Sequence, residues 1–189
     1  MSFAKFFPIS LFIAAQAAIM MIIEPRLKFV SWISFQAWAM YFLAGCNIKM
    51  GIKTFVGYFM GIVASVAIME GAGFFGGMGI GSATVPANLW LSVFAVVVLV
   101  ICSEKVPGID FIPAWFIGAG VFFGLMNLDN FPDTAKQIDK YIQSSGKLMW
   151  SAAMGLFFGY VTVTFRTWYE KKFMPKKEES SDVSEENPA

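Results

Sequence analysis

The fold class of this chain is decided by residues 54–69, TFVGYFMGIVASVAIM. The stretch contains no charged residue, and its apolar residues follow one another without the alternation that marks a half-buried strand. About 20 apolar residues in a helix cross the hydrocarbon core of a bilayer, and a helix pairs its own backbone groups there. We therefore predict that this stretch is a membrane-spanning helix.

Other uncharged segments of similar length lie before and after it. The whole chain is 57% hydrophobic and 14% charged, whereas soluble domains carry about 25% charged residues. We predict an all-α polytopic membrane domain over residues 1–169 and a disordered, basic-then-acidic cytoplasmic tail over residues 170–189. The six predicted transmembrane helices lie near residues 6–23, 29–46, 54–69, 85–102, 111–128 and 148–165.

The lysine and arginine residues predict the orientation of these helices. With six spans both termini lie on one face, and that face holds nine of the 14 basic residues. Because the more basic face is normally cytoplasmic, both termini are predicted to lie in the cytoplasm. Lys5 precedes an apolar run as in a signal peptide, but no small-x-small cleavage site lies before Glu24, so the first segment is expected to remain uncleaved.

Several function classes lack their residues in this chain. The net charge is +1 and no basic stripe is present, which argues against nucleic-acid binding. Histidine is absent, and the two cysteines, Cys46 and Cys102, stand alone, so we expect no metal site and no cofactor. The spans hold no nucleophile beside a base and no paired carboxylates, so we expect no catalytic residues and no enzyme.

The second and third predicted helices resemble the fifth and sixth. Pairs of phenylalanines stand seven residues apart in the second and fifth, and small residues that allow close helix packing recur in the third and sixth. This pattern predicts two three-helix repeats, the second inverted, although phenylalanine and glycine are common enough for chance similarity to stay open. The predicted helix-packing glycines are Gly57, Gly61, Gly120, Gly124, Gly155 and Gly159.

Three segments are similar to a known family. Residues 31–42 (SWISFQAWAMYF), 111–119 (FIPAWFIGA) and 155–160 (GLFFGY) resemble the YcdZ-like bacterial inner-membrane family, which is domain of unknown function 1097. The resemblance extends from the first span to about Trp168. It implies a small polytopic protein of the bacterial inner membrane, and it implies no established substrate and no catalytic residue.

Polar and aromatic residues within the spans are candidates for a solute path. A glutamine in lipid needs a partner, which is either another helix or a solute, and a carboxylate at membrane depth is costly. Each of these residues has a plainer interpretation as helix packing or a solvated helix end. The candidate solute-path residues are Gln16, Gln36, Trp38, Glu70, Trp115 and Tyr160.

Two connecting segments are unusual in composition. The glycine-rich residues 71–82 contain G-x-G-x-x-G, but between two membrane helices this is not a nucleotide site, and the segment is either a flexible loop or a re-entrant segment. Residues 131–143 alternate charged and apolar side chains, which is typical of a short surface helix.

The function favoured by these features is a membrane channel or simple transporter for a small neutral or weakly charged polar solute. Its support is the predicted inverted repeat, the glutamines within the spans and the lack of ionisable residues there. The alternative is an accessory or scaffolding protein that packs against a larger membrane partner through its glycine-spaced faces. The expected partners are the lipid bilayer and a small solute; a homo-oligomer is compatible with both hypotheses.

Overall fold

The computed structural model describes residues 3–76, 81–82, 85–132 and 134–173. Six α-helices form the fold, with a 3-10 turn at Ser103–Lys105 and a two-residue antiparallel pairing of β1 (Gly81–Ser82) with β2 (Val85–Pro86). The helices are α1 (Phe3–Leu27), α2 (Ser31–Leu43), α3 (Ile48–Gly76), α4 (Ala87–Cys102), α5 (Ile112–Leu128) and α6 (Gln137–Phe173).

Each predicted span corresponds to one helix, but the helix lengths are unequal. Three helices are long and apolar enough to cross a bilayer, and they comprise Lys5–Leu27, Ile48–Gly76 and Gln137–Phe173. The helices α2, α4 and α5 have 13, 16 and 17 residues, which is shorter than the roughly 20 that span the hydrocarbon core. The chain is therefore helical with three long apolar helices, and helix length alone does not give six crossings.

The glycine-rich segment differs from its prediction. Residues Gly71–Gly76 continue α3 as a helix, so the predicted loop does not begin at Gly71. The reason is packing against α4, because Ser92 Oγ donates a hydrogen bond to the Ile68 carbonyl oxygen at 2.7 Å and lies directly beside Gly71. Residues 77–80, the middle of the predicted loop or re-entrant segment, lie outside the described residues.

Two predicted boundaries in the last third of the chain are also wrong. The surface helix predicted for residues 131–143 is not separate, because α6 runs without a break from Gln137 to Phe173. The polar start of α6 is tied to neighbouring elements, since Tyr141 and Lys147 bond to Glu70 and Asp129. Residues 170–173 are the last residues of α6 rather than tail, and residues 174–189 lie outside the described residues.

The helices are grouped into two three-helix bundles. The packing is most extensive between α3 and α5, between α2 and α6, and between α3 and α4. Since α1 also packs on α6, we name the two groups the α1–α2–α6 bundle and the α3–α4–α5 bundle. Each bundle thus takes two consecutive helices from one half of the chain and one helix from the other half.

Within each bundle the most extensively packed helix pair, α2 with α6 or α3 with α5, runs parallel. The contacts rise together along both pairs, with Gly57 against Ala114 and Gly61 against Gly118, and with Ser34 against Ser151 and Tyr41 against Gly159. The other pairs run antiparallel, as α1 does to α6 (Leu27 to Trp150, Phe12 to Phe165) and α4 to α3 (Ser92 to Ile68, Val100 near Ala64). Since α3 is also antiparallel to α6, consecutive helices alternate in direction along the chain.

The buried positions repeat with the same spacing in the two halves. The matching positions are Ile33, Ser34, Ala37, Met40 and Tyr41 in α2 and Ala114, Trp115, Gly118, Val121 and Phe122 in α5. In α3 they are Thr54, Gly57, Tyr58, Gly61, Ala64, Ser65 and Ile68, and in α6 they are Leu148, Ser151, Ala152, Gly155, Phe158, Gly159 and Thr162. On this register Gly61 matches Gly155, one turn away from the match of Gly57 with Gly155 that the glycine motifs predict.

Candidate functional site between α3 and α6

The two bundles meet where α3 crosses α6. At one end of this contact Tyr141 donates a hydrogen bond from its hydroxyl to Glu70 Oε1 at 2.8 Å. At the other end Gly51 and Tyr160 line the same groove. We call this line of contact the α3–α6 seam; its two helices carry matching buried positions in the two halves of the chain.

Tyr58 lies at the middle of the seam. The antiparallel register that places Glu70 opposite Tyr141 and Phe55 near Leu156 brings Tyr58 opposite the stretch around Ala152. That position is also the centre of the repeat, because Tyr58 and Ala152 occupy matching places in the buried spacing of α3 and α6.

The Tyr58 side chain is fully buried and its hydroxyl lacks a hydrogen-bond partner among the described residues. Residues of α2, α5 and α6 surround it in the central hydrophobic cluster, including Ala37, Ala114 and Leu148. An unpaired hydroxyl in an apolar interior costs about 1–3 kcal/mol, so such a group calls for an explanation.

A second unpaired hydroxyl lies on α6, on the face that also carries Tyr141. Ser144 is fully buried, and its Oγ has no partner in the part of the chain that the structure describes. It stands three residues after Tyr141, so the two side chains project from one side of the helix. The seam thus carries the Glu70–Tyr141 pair at one end and the Tyr58 hydroxyl at its centre, and Ser144 is a further unpaired hydroxyl on α6 among the described residues.

A groove opens at the other end of the seam. Its volume is about 490 Å³, and its walls come from α2, the first part of α3, and α6. Phe55 and Ala153 form part of it, and they lie one turn before Tyr58 on α3 and beside Ala152 on α6. The groove is lined by Tyr41, Ile48, Gly51, Ile52, Phe55, Ala153, Leu156, Phe157 and Tyr160.

The six predicted solute-path residues do not converge on one place. Glu70 and Tyr160 lie at opposite ends of the seam, and both side chains are partly exposed. Gln16 belongs to the α1–α2–α6 bundle, where its amide oxygen accepts a hydrogen bond from the Thr162 hydroxyl at 2.7 Å and its amide nitrogen reaches the Phe158 carbonyl. Gln16 therefore joins α1 to α6, as expected if its role is helix packing rather than solute binding.

The other three candidates also lie away from the seam. Gln36 is exposed on the outer face of α2, whereas Trp38 is buried in the α1–α2–α6 bundle with its indole N–H unpaired among the described residues. Trp115 is buried in the α3–α4–α5 bundle and donates from Nε1 to the Ile109 carbonyl oxygen at 2.9 Å.

The predicted packing glycines fall into two groups. A Cβ at Gly57, Gly61, Gly155 or Gly159 would collide with the partner helix, so these four allow the close parallel crossings within the bundles. A Cβ at Gly120 would meet nothing within 4 Å, and one at Gly124 would reach Trp32 at an ordinary 3.7 Å. The last two glycines therefore do not lie at a close contact between the described helices.

Three residues of α3 and α6 were not among those predicted from the sequence: Tyr58, Tyr141 and Ser144. Tyr58 sits inside an uncharged run in the same way as the two glutamines, so its hydroxyl was a signal of the same kind. The serines of the spans are mostly satisfied by backbone carbonyls, as Ser65 is by Gly61 at 3.0 Å. The sequence does not distinguish such a serine from Ser144, because the difference depends on which helix lies opposite.

Ion pairs fasten the helix ends outside the apolar interior. Lys53 Nζ donates to both carboxylate oxygens of Asp110 at 2.8 Å, and Lys147 Nζ does the same to Asp129 at 2.7 and 2.8 Å. The hydrogen bond from Lys53 holds the pKa of Asp110 below its ordinary value. The two lysines belong to α3 and α6, so each seam helix is tied to an end of α5.

The comparisons with known proteins identify a family and no activity. The model of the family described as "Protein of unknown function (DUF1097)" matches residues 9–167. No curated protein and no solved structure matches the chain.

Proposed function

The chain belongs to the DUF1097 family, and we propose that it is a channel or simple transporter that carries a small neutral or weakly charged polar solute across the bacterial inner membrane. The match covers most of the chain, and the resemblance seen in the sequence agrees with it. Since the family has no assigned activity, the proposal rests on the architecture and on the seam.

A membrane location is supported by the outward faces of the helices. Large apolar side chains cover α4 and the outer side of α6, among them Phe94, Leu99 and Phe157, which are 68%, 69% and 57% exposed. Soluble monomers rarely expose a continuous apolar surface of this kind. The alternating helix directions support six crossings, in which the short helices α2, α4 and α5 require local thinning of the bilayer or polar flanks near the headgroups.

The transport proposal rests on interpreting the two halves of the chain as an inverted repeat. Exchanging the two halves converts the α2–α6 pair into the α5–α3 pair, and both pairs run parallel with small residues at their crossings. The equivalent helices α3 and α6 run antiparallel, as inverted halves require. Inverted repeats are common in transporters, whose sites lie near the midplane between the repeats.

The interior favours an uncharged solute. The buried polar side chains of the described residues are one glutamine, seven serines and two threonines, and none is charged. Moving a charged solute through such an interior would be costly, because none of these buried side chains carries a charge. A solute with hydroxyl or amide groups would meet partners of its own kind.

The proposal is tested by stopped-flow light scattering on proteoliposomes. Vesicles containing the protein and empty vesicles are challenged with urea, glycerol, formamide and ethanolamine, and the rate of re-swelling is recorded. We expect faster re-swelling for one solute class only. Identical traces for both kinds of vesicle across the panel would count against a channel.

The orientation is tested with the native cysteines. Six crossings with cytoplasmic termini place the exposed Cys46 and Cys102 on the cytoplasmic side. A membrane-impermeant maleimide should then label neither thiol in intact spheroplasts and both after lysis. An Asn130→Cys variant, with its new thiol in an exposed loop on the opposite side, should be labelled without lysis. Labelling of the native thiols in intact spheroplasts would show that the orientation is the opposite of the proposed one.

A scaffolding role remains the second candidate, and the outward position of Gly120 favours it. A Cβ at this residue of α5 would meet nothing within 4 Å, and Gly120 borders the open space between α3, α4 and α5. Affinity purification in mild detergent should then recover a stoichiometric partner, which a Gly120→Leu variant should lose. Recovery of the chain alone, or an unaffected complex, would argue against this role.

A further inference from the structure

We propose that the Tyr58 hydroxyl is the central solute-binding group, and that the solute is a small uncharged molecule with hydroxyl or amide groups. This inference rests on the transport function proposed above and adds a residue and a substrate chemistry to it. Two independent observations support it. The hydroxyl is buried without a partner among the described residues, and it lies at the centre of the repeat.

The first observation identifies a group that is ready to bind. A tyrosine hydroxyl can donate one hydrogen bond and accept others, and here none of this capacity is used by a described residue. The apolar cluster around the ring makes a bond to a solute stronger than the same bond would be in water. A phenylalanine would fill the same space without this cost, so packing alone does not account for the hydroxyl.

The second observation places the group where a transported solute must pass. At the centre of an inverted repeat, a residue is equally related to both sides of the membrane. The side chains of a helix tilt toward its N-terminus, which turns Tyr58 toward the turn that contains Phe55 and the groove beyond it. In the other direction the seam ends at the hydrogen-bonded Glu70–Tyr141 pair, so Tyr58 lies between a largely apolar groove and a polar end.

The solute chemistry follows from what the centre lacks. No buried residue in the part of the chain that the structure describes has an acidic or basic side chain, and the other tyrosine of the central cluster, Tyr141, already donates to Glu70. A charged molecule would find no counter-charge at Tyr58. An apolar molecule would gain nothing from the hydroxyl. An amide such as urea or a polyol such as glycerol satisfies a single hydroxyl at little cost.

The test compares Tyr58→Phe with Tyr169→Phe. Both changes remove one hydroxyl, but Tyr169 lies near the end of α6, stacked on Phe165 and away from the seam. We expect Tyr58→Phe to slow re-swelling about 5- to 100-fold, which is the range for leaving a buried hydrogen-bonding group unpaired. Tyr169→Phe should match the wild type. Because the lost hydroxyl had no described partner, Tyr58→Phe should unfold at the same temperature as the wild type or higher.

Solute-dependent thermal stability in detergent provides a second measurement that does not require flux. At least one of the four solutes should raise the unfolding temperature of the wild type and of Tyr169→Phe, and not that of Tyr58→Phe. If the wild type conducts and Tyr58→Phe conducts equally well, the inference is overturned and the transport function stands. If no protein conducts, transport fails, and the inference then depends on the thermal shift: a shift lost in Tyr58→Phe supports it, and no shift overturns it.

Discussion

The α1–α2–α6 bundle and the α3–α4–α5 bundle share one backbone plan but differ inside. In the first, Trp38 packs with Met20 and Phe158, and the rings of Trp38 and Phe158 have centroids 5.9 Å apart. The position that corresponds to Trp38 in the second bundle is Ala119, and a cavity of about 280 Å³ lies there between α3, α4 and α5. Small residues at the crossings therefore fix the shared plan, while the large side chains have diverged.

The largest effect on stability should come from removing a large buried side chain from the α1–α2–α6 bundle. Trp38→Ala removes a buried indole that has no described hydrogen-bond partner, so the loss is one of packing. We expect the free energy of unfolding to fall by about 3–5 kcal/mol. The measurement is circular dichroism during titration with a denaturing detergent. The control, Trp90→Ala, removes an indole that is 50% exposed and should change little. Equal effects at both sites would contradict the contrast between the bundles.

The next effect should be the same in both bundles. Gly61→Ala and Gly155→Ala each place a methyl group against the backbone of the partner helix, at Trp115 and Ser34 respectively. Both should lose about 1–3 kcal/mol of stability in the same titration. Gly120→Ala, which meets nothing within 4 Å, should be neutral or slightly stabilising. Tolerance of one of the two clashing variants would break the equivalence of the bundles.

The sequence predicted the number and order of the helices because each apolar run has one simple way to satisfy its backbone in lipid. It failed on helix ends, since α3 and α6 continue beyond their apolar parts through residues such as Gly71 and Tyr141 that neighbouring helices hold. A single run gives no information about those neighbours.

The sequence also did not show which of the predicted solute-path residues are buried. Gln16 and Gln36 both lie inside apolar runs, yet one binds Thr162 and the other is exposed. Which face of a helix is covered depends on the exchange of α3 and α6 between bundles, and no local pattern specifies this. The glycine motifs indicated the repeat but with a register one turn away from the one that packing sets.

A smaller effect should come from filling the cavity. Ala119→Leu adds apolar atoms to the space between α3, α4 and α5 and should raise the free energy of unfolding by about 1 kcal/mol. Ala37→Leu is the matched change in the other bundle, where the site is fully buried against Gly155, and it should destabilise. Opposite signs would sharpen the comparison, whereas destabilisation by both changes would show that the cavity cannot accept a leucine.

The smallest effect should be electrostatic. The folded pKa of Asp110 is lowered by Lys53, so the pair contributes stability at pH values above the ordinary 3.8 and loses it as the pH falls through the lowered pKa. The unfolding temperature of the wild type should therefore decline in strongly acidic solution more than that of Asp110→Asn. The pair is solvent-accessible, so the difference should also shrink at high salt. Parallel pH profiles for the two proteins would show that the Lys53–Asp110 pair does not contribute to stability.

The exchange of α3 and α6 between the bundles also constrains how the chain is made. The helices α3, α4 and α5 are consecutive, so their bundle has all of its parts once residue 128 has left the ribosome. By contrast, α1 and α2 have to wait for α6, the last helix, before their main partner exists. During that interval the small-residue face around Ser34 and Ala37 lacks the helix that covers it in the finished fold. A chain that ends after α5 would keep one complete bundle and leave α1 and α2 without their main partner.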